Sequence, residues 1–108
     1  MKPDRNMDSE LQIIWSAKAK TTYLKVLSYL DKNWTKREII QFSQRTEIIL
    51  RAIKKTPGIY PISSEYKEIR RAVIDSNNSF FYKVDLYNHK IYLLTFFDNR
   101  QNPANLKL

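Results

Sequence analysis

The chain has 108 residues, 43% of them hydrophobic and 13% aromatic, which is the size and apolar content of one domain with one core and excludes a disordered chain. It has no cysteine and one histidine, His89, so disulfides, thiolate chemistry and Cys/His-ligated metal sites are excluded, and no metal or cofactor is expected. A net charge of +8 at pH 7 favours polyanions or an acidic protein as partner. No apolar run approaches the length of a membrane span and no signal-like apolar core opens the chain, so no membrane contact is expected and the cytoplasm is the simplest location.

Residues 1–8 read as a flexible N-terminal tail, residues 9–103 as a single domain and residues 104–108 as a C-terminal tail. Either Met1 or Met7 could be the native start. Leu11-Gln12-Ile13-Ile14-Trp15 is a short strand of β-forming residues, and Ser16 after it is a good helix N-cap. Val26, Leu27, Leu30 and Trp34 follow Tyr23 at spacings of 3, 4, 7 and 11, one stripe of a helix. Lys18, Lys20, Lys25 and Lys32 lie on or beside its other face.

Thr35-Lys36-Arg37-Glu38 has the form of a capping box, and Trp34 and Ile39 stand where a hydrophobic staple needs them. A second helix therefore begins at once, with Ile39, Phe42, Thr46, Ile49, Leu50 and Ile53 as its buried stripe. The short joint makes a helix hairpin. Pro57-Gly58 ends the second helix, with the glycine expected to supply the turn.

A loop over 59–65 leads to a strand over 66–74, in which alternation puts Arg70 and Arg71 on opposite faces. One of the two must face the helices, where an unpaired charge is costly, so it is expected past the helix ends or held by a carboxylate such as Asp98. Polar Asp75–Ser79 turns the chain into a strand over 80–86, and Tyr87–Lys90 turns it into a last strand over 91–97. That strand is nearly all apolar, so it is buried on both faces near the middle of the sheet. It ends in Asp98-Asn99-Arg100-Gln101-Asn102-Pro103, a polar cluster delivered to the carboxyl end of a central strand.

The order is β-α-α-β-β-β: an α+β domain with a helix hairpin packed on a small antiparallel sheet. The last strand needs partners on both sides, so the first is placed beside it, giving sheet order 2-3-4-1. Lys67, Arg70, Arg71, Lys83, Arg100 and Gln101 are the candidate contacts for a target or a nucleic acid, with the basic ones gathered near one end of the sheet to hold phosphate. Tyr66, Tyr82 and Tyr92 could stack bases, or pack as ordinary sheet residues. A nuclease would also need a general acid and base. His89, in the turn at the opposite end from Arg100, is poorly placed for either.

Ile13-Ile14-Trp15-Ser16 opening a helix hairpin, a proline after the second helix, Ile69-Arg70-Arg71 opening a three-strand meander, and a final apolar strand closing in Asp98-x-Arg100-Gln101-x-Pro103 together resemble the RelE/ParE superfamily, the toxin halves of type II toxin–antitoxin systems. The resemblance spans roughly residues 9–103. It implies the β-α-α-β-β-β toxin fold, a role in growth inhibition and plasmid stabilisation, and a co-encoded antitoxin whose tail, often acidic, wraps and neutralises the toxin. One branch cleaves mRNA on the ribosome; the other inhibits DNA gyrase. The nuclease branch carries basic residues on the first meander strand, an arginine opening the middle strand, and a tyrosine or histidine past the last strand. Lys67 and Arg71 match the first requirement, and Arg100 supplies a basic residue after the last strand; with them this chain would act as a nuclease. Ser79-Phe80-Phe81 and Gln101-Asn102-Pro103-Ala104-Asn105 leave the other two positions vacant. No residue is therefore assigned as catalytic, and the expectation is a ParE-like, non-nucleolytic toxin acting on gyrase. The alternatives are a ribosome-dependent mRNA endoribonuclease and a basic nucleic-acid-binding domain.

Overall fold

The computed structural model describes residues 11–108, so the N-terminal tail lies outside the described residues. The elements run β1 (Gln12–Trp15), α1 (Ala17–Asn33), α2 (Lys36–Lys55), β2 (Ile69–Val73), β3 (Asn78–Asp85), β4 (Lys90–Asp98) and a 3-10 turn at Pro103–Asn105. The four strands form one sheet in the order β1-β4-β3-β2, with the helix hairpin on one face, so the α+β architecture and the strand order are as expected. The sheet is mixed, because β1 runs parallel to β4 while the other two pairings are antiparallel. Parallel pairing follows from the connection: the chain reaches β4 only after two helices and a hairpin, which return it in the direction of β1.

Both expected N-caps form. Ser16 Oγ accepts from the Ala19 amide at 2.9 Å, and Glu38 Oε1 accepts from the Thr35 amide at 3.0 Å to complete the capping box. Tyr23, Val26, Leu27 and Leu30 pack on the core as their spacing predicts. Trp34 does not: it is the C-cap of α1, its backbone is extended, and 57% of its surface stays exposed. The α2 stripe is buried from Phe42 to Ile53. Gly58 does not take a left-handed backbone; Glu68 and His89 do, each in a turn.

Phe96 is the centre of the core. Its ring lies 5.1–6.3 Å from those of Trp15, Tyr23, Phe42 and Phe80, so one β4 side chain joins both helices and two strands. A register shift near Phe81/Tyr82 sets Phe81 against Thr95 and Tyr82 against Leu93, leaving Leu94 as the extra residue of a bulge in β4. β1 stops at Trp15, opposite Leu93, so among the described residues the β4 backbone beyond it has no strand on that side. Helix α1 takes over. The Ser16 amide and hydroxyl donate to the Leu93 and Leu94 carbonyls at 3.1 and 2.9 Å, and Thr22 Oγ1 accepts from the Phe96 amide at 2.9 Å.

The opposite face of the sheet carries a smaller cluster of Phe81, Phe97 and Leu106, with Tyr66 and Ile69 against it. Residues 104–108, assigned above to a tail, therefore belong in part to the fold: Leu106 is buried, its carbonyl accepts from the Tyr66 hydroxyl at 3.0 Å, and Lys18 Nζ donates to the Lys107 carbonyl. Among the described residues no helix is long and apolar enough to cross a membrane.

Thr22→Val should cost about 1–3 kcal/mol, because the buried Phe96 amide loses its acceptor. Thr22→Ser keeps that acceptor and should stay within about 1 kcal/mol of the wild type. Urea unfolding of the pair checks this.

Candidate functional site

The polar run after β4 is built into the fold by its own side chains. Asp98 Oδ1 accepts from the Arg100 amide and Nε, both at 2.9 Å, and Oδ2 accepts from Arg100 Nη2 at 2.8 Å. This fork is the strong form of the pair, and it folds Arg100 back over the strand end. The Arg100 guanidinium also lies 5.8 Å from the centre of the Tyr29 ring on α1. Hydrogen bonds from Arg100 hold the Asp98 carboxyl below the usual carboxylate range, and the Asp98 carboxylate in turn holds Arg100 above its ordinary value.

Asn99 ties three segments together. Its Oδ1 accepts from Arg71 Nη2 at 2.8 Å and from Ser79 Oγ at 2.6 Å; its Nδ2 donates to the Asp75 carbonyl at 3.1 Å. Its own amide donates to the Asn77 carbonyl at 2.8 Å. Arg71 completes the group: Nε donates to Ser79 Oγ at 3.2 Å, and the guanidinium sits 5.5 and 5.8 Å from the ring centres of Phe81 and Phe97. Arg71 is thus clamped on the face away from the helices.

The two neighbouring arginines part as alternation requires. Arg70 faces the helix side, where Nη1 donates to the Tyr60 carbonyl at 2.7 Å. Its partner is a loop carbonyl; Asp98 is bound to Arg100 instead. That loop also covers the β2 edge, with the Arg71 amide donating to the Pro61 carbonyl at 3.1 Å. The other candidates do not join Arg100. Lys83 pairs in register with Tyr92 near the start of β4, the end opposite Arg100, and contacts Glu68 at 3.9 Å; Lys67 is exposed in the turn beside Glu68. Antiparallel pairing is the reason: residues late in β3 lie beside residues early in β4. The expected single basic cluster is therefore two separate groups. His89 is exposed in the β3–β4 turn, at the Lys83 end.

Nor are all three tyrosines free to stack. Tyr82 is fully buried, its hydroxyl donating to the Pro57 carbonyl at 2.8 Å, and burial pushes that hydroxyl up to about 12. Tyr66 is held by Leu106, and Tyr92 is half-buried on the face away from the helices.

The open feature at the Arg100 end is a cleft of about 800 Å³ between the helix hairpin, the β2–β3 turn and the C-terminal segment. Val26, Leu30, Phe42 and Phe96 give it apolar walls; on its polar border Lys25, Arg45, Arg100 and Gln101 stand with the acids Glu38, Asp75 and Asp98, and the cations outnumber the acids. No protein-family model matches this sequence, and no curated protein matches it. The cleft's own chemistry suits a ligand that is apolar on one side and acidic on the other. Of the candidates, Arg100 and Gln101 line it. The sequence places Lys25 on or beside the outer face of α1 and singles out no role for Arg45; the signal for both is position, since each neighbours a residue of a buried stripe, Val26 or Thr46.

Asn99→Ala should lower stability by about 1–3 kcal/mol, because the buried Ser79 hydroxyl and Arg71 Nη2 lose the oxygen that accepts from them. Asp98 has a depressed folded-state pKa, so it contributes stability above its unfolded value near 4 that is lost as pH falls through the folded value. Asp98→Asn should therefore flatten the loss of stability below about pH 4. Urea midpoints at pH 7 and in acid test both variants.

Proposed function

We propose that this chain is the toxin of a type II toxin–antitoxin module, of the RelE/ParE superfamily and nearer its ParE-like branch, acting in the cytoplasm on DNA gyrase. A co-encoded antitoxin with an acidic tail holds it inactive. The β-α-α-β-β-β order of the elements agrees with the fold that the resemblance implies. One observation supports the non-nucleolytic branch. Two of the three side chains a nuclease would turn on phosphate are engaged within the molecule: Arg71 by Ser79, Asn99 and two rings, and Arg100 by Asp98. The third, Lys67, lies at the far end of the sheet beside Glu68 and Lys83. Transition-state stabilisation requires cations converging on one phosphate, and these three diverge.

In this reading the cleft is a protein-contact surface. Its apolar walls take a partner's apolar side chains, and Lys25 and Arg45 meet acidic ones. The acidic tail of the antitoxin fits both features.

Purified protein should inhibit supercoiling of relaxed plasmid by the gyrase of its own species, and Arg45→Ala should weaken that inhibition several-fold. Intact mRNA should persist in arrested cells. Ribosome-dependent mRNA cuts after induction, with supercoiling untouched, would replace this reading with the endoribonuclease.

A further inference from the structure

The helices cover one face of the sheet, and the C-terminal segment covers part of the other through Leu106. The remaining part lies at the β3–β4 turn. Register and alternation put a row of side chains there. Ile14 pairs with Tyr92, Tyr92 with Lys83 and Lys83 with Ile69, one position from each strand. Ile13, Trp15, Ile91, Leu93 and Val84 pack on the helix side, so this row faces away from the helices. Lys90 is on the same face two residues before Tyr92, about 7 Å along the strand.

Beyond the row the turn projects Leu86 and Tyr87, which are 66% and 93% exposed. Among the described residues a tyrosine this exposed packs on nothing, yet the turn that carries it is well braced. The Asp85 carboxylate accepts from the Asn88 amide at 3.1 Å and Nδ2 at 2.8 Å. The His89 amide donates to the Leu86 carbonyl at 3.2 Å, and the Gln12 amide to the His89 carbonyl at 2.9 Å. His89 holds the left-handed backbone that closes the turn. Tyr87, Leu86, Lys83 and Tyr92 border one shallow hollow.

We propose that this surface binds a short stretch of single-stranded nucleic acid, one base stacking on Tyr87 against the Tyr92 side of the hollow and flanking phosphates meeting Lys83 and Lys90. An exposed ring on a rigid support, a second ring and interleaved lysines are the elements of sequence-tolerant single-strand sites. Lysine next to aromatics argues against a protein partner, because protein interfaces are depleted of lysine at their cores. Two acids share the surface. Asp85 is turned into the turn by Asn88, and Glu68 is 78% exposed and only 3.9 Å-paired with Lys83, so a phosphate can displace it. The proposal stands apart from the toxin reading and from the cleft at the other end of β4.

The test is fluorescence anisotropy of a labelled oligothymidylate of about twelve nucleotides with the full chain, at low and moderate salt. Tyr87→Ala should weaken binding about tenfold and Tyr87→Phe should leave it unchanged, because the ring is what stacks. Lys83→Ala should weaken binding and reduce the salt slope by about 0.7, the share of one phosphate contact on a single strand. Arg51→Ala, a charge-matched change on α2, should do neither. Circular dichroism confirms that each variant is folded. No binding at low salt would overturn the proposal. So would wild-type affinity in Tyr87→Ala, or equal losses in Lys83→Ala and Arg51→Ala, which would mean diffuse charge attraction. A loss of gyrase inhibition in Tyr87→Ala with oligonucleotide binding intact would make this a protein contact instead.

Discussion

A central strand must have both its backbone edges satisfied, and β4 meets that demand in two ways along one side. For its first half β1 lies alongside. Past Leu93 the strand partner ends, and two hydroxyls of the first helical turns, Ser16 and Thr22, take its place. Substitution of helix side chains for a strand fixes where α1 starts, at what distance it crosses the sheet and which residue of β4 it meets. Phe96 is that residue, and its ring gathers Trp15, Tyr23, Phe42 and Phe80. A neutral hydrogen bond here is worth only about 1 kcal/mol net, but leaving the buried amide unpaired costs more, so the geometry is enforced by what would happen without it.

The same strand has different consequences at its two ends. At the carboxyl end, the chain leaves the sheet through side chains that bond one another: Asp98 with Arg100, and Asn99 with Arg71 and Ser79. Charge there is largely consumed, and what stays open is the cleft, where apolar walls meet cations contributed mainly by the helices. At the amino end, the β3–β4 turn is braced by the Asp85 carboxylate, which accepts from the Asn88 amide and side chain, and presents Tyr87 outward. One end is concave and amphipathic, the other projecting and aromatic. They suit different ligands.

Much of the fold was legible because each element carries its own period. The two helical stripes, the capping box over Thr35 and Glu38, and the doubly buried last strand all follow from local chemistry, and the need to pair β4 on both sides gave the strand order. The parallel sense of β1 and the bulge at Leu94 were not local. They depend on how far the chain travels before it returns and on where α1 docks. Leu106, in a short mixed stretch that also holds Ala104 and Leu108, has no period to betray its burial. The site was less legible still. Grouping Lys67, Arg70, Arg71, Lys83 and Arg100 ignored position along the strands, although counting back from each turn would have put Lys83 and Arg100 at opposite ends. Alternation did separate Arg70 from Arg71; what it could not say is that the carbonyl of Tyr60 and the side-chain oxygen of Asn99 would hold them.

The functional account turns on whether the target is gyrase. Pulse labelling after induction in cells tests this most directly, with thymidine and methionine incorporation followed side by side. The account predicts that thymidine incorporation falls first while methionine incorporation continues. A prompt fall in methionine incorporation with DNA synthesis still running would contradict it.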